Sequence, residues 1–221
     1  MSNQPISTHD YRWCTIEVHH DDSAEDPRSW HQHDTVMACW HRRYRLGDVQ
    51  PSATPDEYIK SEVPDGSIIR PLYLYDHSGI TMRLGPFACP WDSGRVGIIW
   101  LSLEAARKSW CPQRPNATWD SYIKWGDKAI TMREAARLVI ESEVETYDQF
   151  ISGAVFGYVV KDASGEHIDS CFGFYGYGEV KWDADHTKCG YAMQCVREQI
   201  DDHLSQSEAL AVATTEAEVW P

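Results

Sequence analysis

PLYLYDHSGITMRLGPFACPWDSGRVGIIWL, residues 71–101, packs apolar runs and small-residue turns into the segment around which the chain is organised. Together with the three residues before it, it opens on a β-rich run, IIRPLYLY over residues 68–75. Pro71 marks an edge or an entry point there, because it has no N–H to give a ladder. Asp76-His77-Ser78-Gly79 turns the chain into ITMRL, residues 80–84, a hairpin partner. GPFACPWDSG follows as a loop holding two prolines and two glycines. The continuous apolar run VGIIWL, residues 96–101, reads as an internal strand. Three strands with no helix between them predict antiparallel neighbours.

Working outward, YRWCTIEV (residues 11–18) alternates as a strand should, and VMACW (residues 36–40) is a second short one. Between them lies a polar, histidine-rich loop. Thr54, Pro55 and Glu57 combine a cap, a proline at the first helical position and a capping box, so a brief helix starts there and stops before Pro64-Asp65-Gly66. Ser102 caps LEAARKSW, which Pro112 ends. Residues 111–130, with few periodic apolar positions, read as a surface connection. Thr131 with Glu134 opens a longer helix with Met132, Ala136, Val139, Ile140, Val144, Tyr147 and Ile151 on one face, closed by Gly153. AVFGYVVKD and EHIDSCFGFYG form a second hairpin. KCGYAMQCVREQIDDHL has helical spacing, aligning Tyr191, Cys195, Val196, Ile200 and Leu204. The expected fold is α+β: an antiparallel-leaning mixed sheet with two or three longer helices packed on it. Residues 1–10 are expected to be loose, 11–204 to form a single domain, and 205–221 to be an acidic tail.

The chain has 221 residues, 24% charged and 42% hydrophobic, which suits a globular core. Its 34 acidic and 20 basic residues leave a net charge of -14. That disfavours non-specific adhesion to phosphate backbones and anionic membranes, and it fits a cationic partner or plain solubility. The seven cysteines form no C-x-x-C pair, so neither a zinc ribbon nor a thioredoxin motif is spelled out. MSNQPISTHD contains no basic-then-apolar leader, and no window approaches the roughly eighteen apolar residues of a membrane span. A reducing cytoplasm is the expected compartment. No cofactor is indicated.

Six segments carry a resemblance: DPRSW (26–30), TVMACWHRRYRLGD (35–48), PLYLYDHSGIT (71–81), CPWDSGRVG (89–97), EVETYDQFISGAVFGYVV (143–160) and SCFGFYG (170–176). Together they resemble a family of uncharacterised bacteriophage- and prophage-encoded proteins with no assigned activity. The resemblance implies a phage accessory protein made in the bacterial host's cytoplasm, and it carries over no catalytic residue.

Four constellations could carry chemistry. Cys89 with His77, oriented by Asp92 or Asp148, has the elements of a nucleophilic cysteine: a thiol, a base to ionise it and an acid to fix the base. Ser78 and Ser93 lack the elbow that exposes a catalytic serine, and Asp92-Ser93-Gly94 reads as a turn. His31 and His33, on an extended segment, would present both rings to a metal, with His19, His20, Asp21, Asp22, Asp34, Cys39 and His41 as further donors. Glu141, Glu145 and Asp148 share a helix face, where Arg137 is placed to pair with Glu141. Finally, Arg42, Arg43 and Arg45 with Trp40 and Tyr44 could hold a phosphorylated ligand, and Trp91, Asp92 and Ser93 would line the same site. The sequence therefore supports two expectations: a phage accessory protein that binds, and thereby inhibits, a host protein or defence component, or a small enzyme or sequestering protein for a phosphorylated small molecule or nucleotide.

Overall fold

The computed structural model describes residues 4–30, 33–181 and 190–202. In chain order the strands are β1 (Ser7–Tyr11), β2 (Cys14–His20), β3 (Val36–Cys39), β4 (Ile68–Asp76), β5 (Ile80–Arg83), β6 (Ser93–Leu101), β7 (Tyr122–Trp125), β8 (Lys128–Thr131), β9 (Val155–Lys161) and β10 (His167–Tyr175). The helices are α1 (Pro55–Glu62), α2 (Leu103–Trp110), α3 (Met132–Ile151) and α4, helical through residues 191–202. The fold is α+β, with every ladder antiparallel. Chain packing divides it into two compact units, residues 1–24 with 153–221 and residues 25–152, where the sequence reading treats 11–204 as one domain.

The unit of residues 25–152 holds a sheet ordered β3-β6-β4-β5 and the separate hairpin β7-β8. β6 is internal, as its apolar run predicts, with Val96, Ile98, Ile99 and Leu101 buried. β5 pairs only with Tyr73–Asp76, so β4 is locally an edge at Pro71 and the missing N–H costs little. The capping box at Thr54 is complete, with Thr54 accepting from the Glu57 N–H and Glu57 from the Thr54 N–H, whereas Thr131 caps α3 by accepting from the Glu134 N–H. α3 lies against β5 and β6, burying Met132, Ala135, Ala136, Ile140, Val144 and Tyr147. Residues 111–130 are more than a connection: β7 and β8 turn at Gly126 (φ +58°), and Ala117, Trp119 and Ile123 join the core.

The other unit holds the sheet β1-β2-β9-β10. The residues expected to be loose include most of β1, and the strand read over 11–18 is instead a hairpin turning at Arg12 (φ +59°). α4 packs Ala192, Met193, Val196 and Ile200 on Ile16, Val18, Phe156 and Val160. Val196 and Ile200 are buried as the helical spacing predicts, whereas Tyr191 is 72% exposed and Ala192 and Met193 take the buried face at that end; Leu204 lies outside the described residues. The expected acidic tail lies outside the described residues. Charge is split unevenly: residues 25–152 carry 18 acidic and 15 basic side chains, and the rest carries 16 and 5.

Tyr147 shows how α3 fixes the loop ahead of the site. Its hydroxyl accepts the N–H of Gly47 at 2.8 Å, and burial pushes its own ionisation up to about 12. Gly47 needs φ +66°, and an added Cβ would sit 2.7 Å from the Met37 carbonyl oxygen. Tyr147→Phe strands that N–H and is expected to cost about 1–3 kcal/mol in urea unfolding, while an unchanged midpoint would show the bond to be dispensable.

Candidate binding site

The turns of residues 71–101 are gathered by one carboxylate. The sulfur of Cys89 lies 3.7 Å from Asp92 Oδ2, and His77 Nδ1 lies 3.4 Å from the same oxygen. The Asp76 N–H donates to the Asp92 carbonyl at 2.8 Å, and the Ser93 hydroxyl donates to the Cys89 carbonyl. The loop is thus tied to the β4–β5 turn by short-range bonds, and Trp91 stands at its tip, 91% exposed.

The arginine segment meets this loop. Arg43 pairs with Asp76 Oδ2, and the Tyr44 hydroxyl donates to Asp76 Oδ1 at 3.3 Å. His41 stacks on Tyr44, with ring centres 4.8 Å apart. The Trp40 N–H is bonded to the Val96 carbonyl at 2.7 Å, which fixes the segment to β6 at its bulge. Trp40, His41 and Arg43 on one side and Trp91, Asp92, Ser93 and Arg95 on the other line an open cleft of about 340 Å³. Asp76 and Arg95 are site residues that the sequence reading omits. Asp76 reads as the first residue of a turn and Arg95 falls just before the run that starts at Val96, and only the β4–β6 register brings Arg95 opposite Tyr73.

Other candidates fall elsewhere. Asp148 accepts from the Thr81 hydroxyl at 2.7 Å and the Met82 N–H at 2.6 Å, so it joins α3 to β5 instead of orienting His77. Arg45 donates to Gln50, and Arg42 is exposed without lining the cleft. Ser78 sits in the left-handed region (φ +57°) as the corner of its turn. Arg137 pairs with Glu141 at 3.4 Å, the exposed i, i+4 pair the helix face predicts. His31 lies outside the described residues. His33 faces Glu143 at 3.4 Å and bonds the Pro27 carbonyl. Cys39 is sealed in the core, its thiol pushed up to about 12 by burial. Among the described residues no group of three His, Cys, Asp or Glu side chains is arranged to hold a metal ion.

A second polar cluster, missed by the sequence reading, is largely covered, with Arg28 and Thr35 inside and Asp48 at its rim. Arg28 donates to Asp48 through Nε at 2.9 Å and Nη2 at 2.5 Å, to Glu143 at 2.5 Å and to the Thr35 carbonyl at 3.1 Å. Thr35 donates its hydroxyl to Glu143, and Asp48 also accepts the Met37 N–H at 2.7 Å. Every group there is turned toward another, so it fastens the fold and offers nothing to a ligand.

With this geometry in place, no family model matches the chain, and neither a curated protein nor a solved structure matches it. What the site can do rests on its own chemistry. In a cysteine hydrolase the imidazole stands between thiol and carboxylate, taking the proton from one and being held by the other. Here the carboxylate of Asp92 stands in the middle, and no hydrogen bond joins Cys89 to His77. The trio fits a staple that shapes the Trp91 loop.

Proposed function

We propose that the chain acts by binding rather than by catalysis, as a phage accessory protein directed at a host protein or defence component, with the Trp91 loop as its recognition element. The observation that carries this reading is Trp91 itself. It is a large aromatic almost fully open to solvent, on a loop tied back through Cys89, Asp92, Ser93 and His77. A loop already tied down loses little backbone freedom on docking, and tryptophan and arginine are enriched among the residues that dominate interfaces. The phage setting comes from the sequence resemblance.

The test is capture from host lysate with tagged wild-type and Trp91→Ala protein. A stoichiometric host protein is expected with the wild type, reduced at least tenfold with the variant, at equal unfolding midpoints. Equal capture by both would remove the loop from the interaction, and no stoichiometric partner with either would remove the host-protein reading.

A second reading, a protein that holds a phosphorylated small molecule, is favoured by the arginines of the cleft. The central position of Asp92 between thiol and imidazole supports its sequestering form over its enzymatic one.

A further inference from the structure

Resting on that second reading, we propose that the cleft takes a ligand of the nucleoside monophosphate class, its phosphate on Arg95 and Arg43 and its planar ring against Trp91. Most polar groups of the cleft are already used. Asp76 receives Arg43 on one oxygen and the Tyr44 hydroxyl on the other. Asp92 receives both Cys89 and His77. The Trp40 indole N–H is spent on the Ala53 carbonyl at 2.7 Å. Arg95 is exposed on the cleft wall and makes no side-chain hydrogen bond or ion pair within the described residues. Arg43 keeps a 69% exposed side chain with donors beyond the one given to Asp76.

Beside the second oxygen of Asp92 and the outer ring nitrogen of His41, what the cleft has left to offer is N–H donors from two guanidinium groups. Their complement is an anion with several acceptor oxygens, and the planar fork of arginine suits phosphate. The surface beside those donors is aromatic. A bare phosphate would leave Trp91 unused, whereas a planar ring joined to it can stack on the indole, a contact indifferent to which base supplies the ring. A volume of about 340 Å³ is at the lower end of small-molecule sites, about 300–1,000 Å³, and matches one nucleotide better than a longer strand. The cleft also belongs to the nearly balanced unit, with 18 acidic and 15 basic residues, where an anion meets less repulsion than the net charge suggests.

The full chain is titrated calorimetrically at low salt with inorganic phosphate, with the four common ribonucleosides and with their 5′-monophosphates. At least one monophosphate should bind tenfold or more tightly than both phosphate and its parent nucleoside. Arg95→Ala should weaken that binding at least tenfold and leave nucleoside binding unchanged, and Trp91→Ala should reduce the monophosphate to the level of phosphate. No binding by any monophosphate, or binding that Arg95→Ala retains in full, would overturn the proposal. Phosphate binding that depends on Arg95 with no gain from the ring would defeat the nucleotide assignment and keep the phosphate-holding reading. Loss of every ligand, phosphate included, would remove both.

Discussion

Arg28→Ala is expected to destabilise the protein by about 3–5 kcal/mol, the range for removing one partner from a buried ion pair. The Arg28 side chain is only 3% exposed, and its two carboxylates are largely covered as well, Asp48 at 23% and Glu143 at 15%. Burial by itself would lower the ionisation of such a guanidinium. Asp48 and Glu143 outweigh burial and hold it above the ordinary arginine value, so the charge is present and paired. Alanine leaves those two carboxylates facing each other's field without a counter-charge and takes a donor from the Thr35 carbonyl. Arg28→Lys keeps the charge and loses the fork, so it should recover only part of the stability. Urea unfolding of Arg28→Ala, Glu143→Gln and the double variant measures the coupling. The double variant should cost clearly less than the two singles added together, because glutamine no longer needs the cation. Strict additivity, or a loss below about 1 kcal/mol for Arg28→Ala, would show that the cluster does not hold the unit together.

That cluster also marks where reading the sequence stops. Helix starts at Thr54 and Thr131, the turn at Asp76–Gly79 and the buried run of β6 are written in neighbouring residues, and they are found there. Arg28 and Glu143 stand 115 positions apart, and nothing local to either says that a charged residue in DPRSW will be inside. The same limit hides the two units: periodicity identifies β2 and β9 as strands but not that Ile16 will sit opposite Val160. The β7–β8 hairpin was obscured by the prolines before it, although Gly126-Asp127 between two β-prone tetrapeptides is a turn signal. At the site, the loop residues were legible because turn chemistry exposes them, whereas Arg95 falls between the loop ending at Gly94 and the run starting at Val96 and carries no signal of its own. Most of the six segments quoted from the sequence meet at two places, TVMACWHRRYRLGD at both, while SCFGFYG lies along β10 at neither. DPRSW, TVMACWHRRYRLGD and EVETYDQF supply Arg28, Thr35, Asp48, Glu143 and Tyr147 to the Arg28 cluster and its support. PLYLYDHSGIT and CPWDSGRVG supply the cleft together with Trp40, His41 and Arg43.

Gly97→Ala should strike both stability and the cleft, although it adds a single carbon. Gly97 pairs with Cys39 on one side and Leu72 on the other, so β6 is fixed by ladders at both edges. A Cβ there would lie 2.4 Å from the Ala38 carbonyl oxygen and 3.0 Å from the Cys39 sulfur. The first of these is main chain and cannot swing aside, so β3 must move away from β6. Overpacking of this kind costs about 1–3 kcal/mol, and a clash with backbone belongs at the upper end. Gly94 is the control: an added Cβ meets nothing within 4 Å, and Gly94→Ala should stay within about 0.5 kcal/mol of wild type. The displaced strand carries Trp40, whose N–H is bonded to the Val96 carbonyl beside the substituted residue, so Gly97→Ala should also loosen the cleft wall. A separate readout comes from Cys39. In the wild type its thiol is fully buried and held protonated by that burial, so it should resist alkylation while the exposed Cys171 reacts. In Gly97→Ala, peptide-resolved alkylation of Cys39 should speed up at least tenfold, because prying β3 from β6 opens the seam that covers the sulfur. Unchanged protection of Cys39 together with an unchanged midpoint would mean that the two strands do not meet as closely as their register and the missing side chain require.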